Sequence, residues 1–458
     1  YQANDDLSSV FSYQRIESDF GSTSNYLVDG YTRSDRVTSA NDEAIFETDA
    51  DLFSLNINYF INDEWSLKSI SAYQAGERVR FNDSDQTSAP ADNRGGVVSR
   101  FGEDNNWSQE FRFNYEGDGI RGSSGVYLSG IEADRSQTTS INYNLPVLFD
   151  EFMPGLGAIL TTDALLPVAL YEPLFGVVNS GKTNVDTSTW ALFSEWEMNL
   201  GEHWIVNAGI RYDNEEQTYF TVSDSVSDYV PPVPGGPFGG VNLGVMTIDQ
   251  LIMFINPQIE GLVESVPAQD ETKDFSNVLP HAGITYLWND EISTSFFVKK
   301  SYRSGGSELT LFSGINEFDA EELWNYELSL RAEVLDGKGV FNTNIYYSDW
   351  TDQQVSVQEP GTGNNAFVIT VNAGESTLSG AELSFNYEFN DNVDLYTGFA
   401  LSRTKYDTFV SPDGLEDYSG NSFARAPEKT GVIGINYDDG SGLFFNANLS
   451  YTGSAFSR

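Results

Sequence analysis

Gly176-Val177-Val178-Asn179-Ser180-Gly181-Lys182-Thr183 matches the phosphate-loop pattern GxxxxGK[ST] letter for letter. That chemistry needs a buried strand before the loop and a helix after it, whose N-terminal amides cradle phosphate. Glu172 and Pro173 spoil the strand, and Trp190, Leu192, Ser194, Trp196 and Met198 continue as an alternating segment, so the match reads as chance in a flexible loop. Gly361-Thr362-Gly363-Asn364-Asn365-Ala366 has a dinucleotide-like spacing but runs into the β-rich Phe367–Val371, which leaves no helix start for a pyrophosphate. Of the two histidines, His203 and His281, neither sits in an HExxH pattern, and no GxSxG elbow offers a serine nucleophile. The chain has no cysteine, which excludes disulfides, thiolate metal sites and cysteine catalysis. Asp83 with Asp85, and Glu321 with Glu322, could do acid–base work, yet among 68 acidic and 24 basic residues such pairs arise by chance and read as solvated charge. No enzyme activity and no cofactor are expected.

The charged residues that remain fall on one face of extended segments. Glu110, Arg112, Glu195, Glu197, Arg211, Glu327, Arg331, Glu382 and Glu388 carry both signs and alternate with apolar residues. In Leu323–Glu333, Trp324, Tyr326, Leu328, Leu330 and Ala332 share one face, and Asn325, Glu327, Ser329, Arg331 and Glu333 the other. Phe53–Ile61 and Ala381–Phe389 repeat the pattern. A wall with one greasy and one wet face implies an all-β fold, a transmembrane antiparallel β-barrel with lipid outside and water inside. Arg112, Arg211, Glu327, Arg331 and Glu382 are the candidate lumen-wall residues, able to pair across strands or to hold a plug.

The elements that position them follow from the breaks between segments. Polar turns at Asn62–Glu64, Glu116–Gly125, Leu200–Glu202, Asn289–Glu291, Asp336–Gly339, Asn390–Asn392 and Asp438–Gly442 would line one rim. They imply about 14 strands, with the first residues of the chain adding more. Two long loops stand out, Ser140–Asp186, apolar and proline-broken, and Thr221–Asp274, which carries apolar residues at helical spacing on either side of Pro257. The latter could form a small helical lid or a packed decoration with no part in binding. Aromatics gather at both strand ends, Tyr59, Tyr115, Trp204, Tyr286, Trp288 and Tyr437 by the turns and Tyr73, Tyr212, Tyr302, Trp324, Tyr347 and Trp350 toward the loops, as at two membrane interfaces. No apolar run approaches the roughly 18 residues of a spanning helix. The formal charge of −44 disfavours nucleic acid as a partner, and acidic loops suit cations, including divalent ions bridging to lipopolysaccharide.

Several segments together resemble the barrel of TonB-dependent outer-membrane receptors. They are Leu67–Tyr73, Ser108–Phe113, Leu279–Tyr286, Ser301–Gly306, Glu321–Leu328 with Phe341–Trp350, Val371–Gly374 with Gly380–Glu382, and Ala426–Glu428. Their order and spacing carry the resemblance from about Asp51 to Tyr451. The resemblance implies most of a 22-strand barrel with long extracellular loops and short periplasmic turns, lying in the outer membrane of a Gram-negative bacterium. It further implies energy-coupled uptake of a scarce bulky nutrient such as a ferric siderophore, a cobalamin or a glycan. A TonB complex would act through a plug with no counterpart in residues 1–458, and the last strands are likewise missing, so the chain is expected to be a partial barrel. Other expected contacts are outer-membrane lipid, lipopolysaccharide and a small-molecule or oligosaccharide ligand, with the protein a monomer. Two other readings stand beside it, a passive porin-like or adhesin barrel, and a secreted soluble β-rich glycan enzyme.

Overall fold

The computed structural model describes residues 6–21, 44–83, 96–152, 155–162, 170–242, 246–261, 263, 265–309, 315–358, 368–412, 414 and 416–456. The alternating segments become strands joined through short turns. β1 (Leu7–Phe20) precedes the hairpin β2 (Ile45–Phe60)–β3 (Trp65–Asp83), followed by β4 (Gly96–Gly117)–β5 (Ile120–Asn144). Helices α1 (Leu145–Phe152) and α2 (Leu156–Thr161) lead to β6 (Leu174–Leu200)–β7 (Trp204–Val226), and α3 (Ile248–Gly261) leads to β8 (Val266–Leu287)–β9 (Ile292–Arg303). A small hairpin, β10 (Gly306–Leu309) and β11 (Ile315–Phe318), precedes β12 (Glu321–Val334)–β13 (Gly339–Gln358). The hairpins β14 (Val368–Asn390)–β15 (Val393–Thr408) and β16 (Lys429–Asp438)–β17 (Phe444–Thr452) complete the order. All but β10 and β11 form one 15-stranded sheet in sequence order, every neighbour antiparallel. Among the described residues, β1 and β17 pair on one side only.

The seven expected turns all occur, and their chemistry shows why. Asn62 Oδ1 accepts from the amides of Glu64 and Trp65, both at 2.9 Å, and Asn289 Oδ1 accepts from Glu291 and Ile292 at 2.9 and 2.8 Å. Such side-chain caps replace the amide partners that the chain reversal removes. One expected turn is much narrower than Glu116–Gly125. The reversal uses only 118–119, with Gly119 at φ 72°, because Gly122 and Gly125 are strand residues. A Cβ on Gly122 would lie 2.4 Å from the Trp196 indole, and one on Gly125 would lie 2.5 Å from the Phe193 ring.

The two long loops are also shorter than expected. Ser140–Asn144 pairs with Val178–Leu174, and Val266 through Asp274 pairs with Ser223 through Glu216, so the connections are 145–173 and 227–265. The strands continue beyond the aromatic belt, where water on both faces erases the alternation that reveals a strand. The phosphate-loop match therefore lies inside β6, hydrogen-bonded to β5 and β7, and is neither a loop nor a cradle. The Gly361–Ala366 segment lies outside the described residues.

On the outer face, Phe111, Leu192, Ile210, Leu328 and Ile345 lie open, from 44% to 56% exposed between them and their neighbours Phe113 and Phe399. In a water-soluble protein such a patch would drive association, whereas in a membrane it meets lipid. At the short-turn end Trp65 stacks on Phe113 at 4.7 Å and Trp204 packs on Tyr286 at 4.5 Å, while Phe53 meets Tyr73 and Trp190 meets Tyr212 toward the loops. Trp350 departs from this belt. Its register puts it on the inner face, where it packs edge-on against Phe423 of the 409–428 connection.

The largest buried cluster is not in the wall. Leu145, Phe149, Leu156 and Leu160 of α1 and α2 pack with Leu251, Ile255 and Ile259 of α3 and with Tyr143, Phe175 and Val177 at the tops of β5 and β6. Those three strand residues share the sheet face of Phe193 and Arg211, so the two loops fold over the inner face as a cap. A capping box starts α3, in which Thr247 Oγ1 accepts from the Gln250 amide and Gln250 Oε1 accepts from the Thr247 amide at 2.9 Å. Pro257 sits inside the helix, and Leu262 lies outside the described residues.

Candidate functional site on the inner wall

Strand register brings the sequence candidates to one face but to different places. Arg112, Gly125, Phe193, Arg211 and Leu279 form a single row across β4 to β8. Because Gly125 leaves room, the Phe193 ring lies over it, and the Arg112 guanidinium rests 5.6 Å from that ring's centre. Arg211 lies 5.4 Å from the Tyr127 ring, one row toward the loops. Arg112, Phe193, Arg211 and Leu279 line a recess of about 480 Å³ together with Glu195, His281 and Lys299.

Each guanidinium is held by a carboxylate two residues along its own strand, the spacing that puts both on one face. Arg112 Nε donates to Glu110, and Arg211 donates to Asp213 through Nε at 2.8 Å and Nη2 at 2.6 Å. Arg331 repeats the arrangement with Glu333 at 3.1 Å. Arg331 and Glu382 line a second recess of about 630 Å³ on β9 and β12 to β17, among Ser295, Ser329, Asn342, Asn344 and Ser384. There Ser329 Oγ donates to Asn344 Oδ1 at 3.0 Å, and Asn342 Nδ2 donates to Ser384 Oγ at 3.3 Å. Glu327 belongs to neither recess. Asn325 Nδ2 donates to it, and Asn325 Oδ1 accepts from Ser348 Oγ at 2.7 Å.

Sequence reasoning missed Phe193, Tyr127 and Lys299. Their signal is strand parity, since Phe193 lies between Ala191 and Glu195 on the face opposite Leu192 and Trp196. An aromatic at a wet position becomes informative only once its glycine neighbour on the next strand is known. The arrangement offers hydrogen-bond donors and acceptors to a solute or to a folded domain in the lumen. Among the described residues no group of three or more His, Asp or Glu is placed to hold a metal, and no helix is long and apolar enough to cross a membrane.

Comparison with known proteins agrees with this geometry. The family described as TonB dependent receptor-like, beta-barrel matches residues 1–458. Among solved structures, the ferric yersiniabactin uptake receptor FyuA of Yersinia pestis superposes with a TM-score of 0.65 at 14% identity, over 97% of this chain and 56% of that one. The siderophore receptor PiuA of Acinetobacter baumannii gives 0.62 at 14% identity, over 97% and 62%. The ferric-catecholate import receptor Fiu of E. coli, in its closed form, gives 0.57 at 13% identity, over 98% and 62%. This chain thus spans less than two thirds of the length of each, and at these identities what is shared is the fold. The family match covers every strand described above, and the chain belongs to the TonB-dependent receptor-like β-barrel family, outer-membrane receptors rather than enzymes.

Proposed function

We propose that this chain provides wall and mouth of an outer-membrane receptor for TonB-dependent, energy-coupled uptake of a scarce bulky nutrient. The observation that carries the reading is an inner face of paired charges and hydroxyls beneath inward-folded loops, in a family named for its dependence on TonB. Among candidate cargoes, a ferric siderophore is favoured over a cobalamin or a glycan, because the similar structures named above are described as receptors for ferric yersiniabactin, for a siderophore and for ferric catecholates. In this reading Arg112, Arg211, Glu327, Arg331 and Glu382 are wall groups that hydrate the lumen and dock a plug. Outer-membrane lipid meets the apolar band, lipopolysaccharide meets the acidic outer surface above it, and the protein acts as a monomer.

The test is accumulation of labelled ferric siderophores by cells expressing the full-length protein, with and without TonB. Accumulation that needs both the protein and TonB is the expected result. Uptake that continues unchanged without TonB would turn the reading to a passive pore.

A further inference from the structure

In a chain of net charge −44, four arginines gather on the inner face of β3 to β5, between the paired wall residues and the cap. Arg80 and Arg100 face each other directly in the ladder, and Arg78 and Arg135 occupy the adjoining row through Gly102. On β3 to β5 neither of these inner-face rows holds an acidic residue, and Asp104, in the next inner-face row away from the cap, lies 3.9 Å from Arg78 and 3.4 Å from Arg135. No carboxylate among the described residues pairs with Arg80 or Arg100. Arg80 lies 4.8 Å from the Phe46 ring, and Arg100 Nε donates to Gln137 Oε1 at 2.6 Å.

This arrangement runs against the rest of the wall. Arg112, Arg211 and Arg331 each have a carboxylate two residues away, and like charges directly opposite on neighbouring strands are destabilising. The carboxylates are present but on the other side. Glu77, Glu103 and Asp134 lie in one ladder row on the outer face of the same strands, so the sheet here is polarised across its thickness. Toward the cap, Val98, Thr139, Asn179 and Ser225 are buried in the next row, and Val177 enters the cap core one row further. The guanidinium groups therefore open beneath the cap's edge, with an aromatic ring and an amide holding two of them by contacts that leave their charge unneutralised.

We propose that Arg78, Arg80, Arg100 and Arg135 form an anion-binding site, fitted to a small solute bearing two or more carboxylate or phosphate groups. Planar guanidinium forks engage such groups bidentately, and two facing forks can hold neighbouring anionic groups of one solute. Binding removes the repulsion between Arg80 and Arg100, so the site binds polyanions better than single anions. The proposal rests on the reading of the inner wall as a solute pathway. Its test is equilibrium binding, which needs no energy coupling, so failure of binding and failure of TonB-dependent uptake register separately.

The probe is inorganic pyrophosphate, with orthophosphate and a tricarboxylate for comparison, titrated calorimetrically into the purified full-length protein in detergent. Saturable binding that weakens as salt is raised is expected. Arg80→Gln with Arg100→Gln should weaken it at least about tenfold, the loss of one charge-assisted contact or more. Arg80→Lys with Arg100→Lys keeps the charge without the fork and should fall between, which preserves the test if the glutamine variant folds poorly. Lys182→Gln, at similar height on the outer face of β6, should leave binding unchanged. Pyrophosphate should also raise the melting temperature of the unaltered protein and not of the double glutamine variant. Absence of saturable binding, undiminished binding by the glutamine variant, or an equal loss with Lys182→Gln would overturn the proposal.

Discussion

At the scale of single residues the wall's two faces make opposite demands. Leu328 is 46% exposed on the outer face in a row with Phe296 and Ile345, while the next residue, Ser329, donates to Asn344 inside. Leu328→Arg should cost about 2–4 kcal/mol of stability in lipid if it lies near the midplane, and Ser329→Arg far less. Equal folding yields into lipid vesicles would sink the orientation. Gly434 makes a different demand, since a Cβ there would lie 2.2 Å from Tyr396 Cζ. Gly434→Ala should destabilise by about 1–3 kcal/mol, and Tyr396→Ala should recover most of that loss in a double-mutant comparison of urea midpoints. Such pairs explain what the sequence could not show. Polarity told that Arg112 and Arg211 face inward, but Phe193 over Gly125 is a cross-strand relation visible only with the register known. The Arg80 and Arg100 juxtaposition was hidden for the same reason.

At the scale of elements, the turns were legible because Asn, Asp and Gly announce a reversal within three or four residues. The tops of the strands were not. Thr183–Asp186 reads as loop because Thr183, Asn184 and Asp186 put polar groups on both faces, yet it pairs residue for residue with Arg135–Glu132. Helix α3 was foreshadowed by its apolar spacing, whereas its packing onto α1 and α2 belongs to tertiary structure. The cap should be separable from the wall in stability. Ile255, 2% exposed, anchors α3, and Ile255→Ala should cost about 2–5 kcal/mol locally. The readout is faster protease cutting within 227–265, with unchanged heat-modifiable gel mobility of the barrel. Alkali should do the same. Burial raises the Tyr171 hydroxyl, which donates to Asn256 Oδ1 at 2.9 Å, and pushes Tyr229 up to about 12. Both phenols favour the folded cap while neutral, so this contribution is intact below the ordinary phenol value of 10.0 and fades as pH rises through the raised values. Cutting within the cap that does not accelerate in strong alkali would count against this account.

At the scale of the molecule, all short turns lie on one rim and every long connection on the other, which fixes the topology in the membrane. Protease added to intact cells expressing the full-length protein should cut 227–265 and spare 335–338; the reverse pattern would invert the assignment. The strands themselves differ in reach. β6 runs for 27 residues and β5 for 25, against 10 in β16 and 9 in β17, whereas about 9–11 residues suffice to cross the bilayer. The ladder between β5 and β6 continues from lipid into water with no shift of register, so nothing in that part of the wall can act as a hinge. On the clock of amide exchange, hydrogens near residues 130–140 and 178–186 should trade for deuterium as slowly as those in the bilayer, while cap amides exchange sooner. Whatever motion the lumen's mouth has then belongs to the cap, over a wall that stays still.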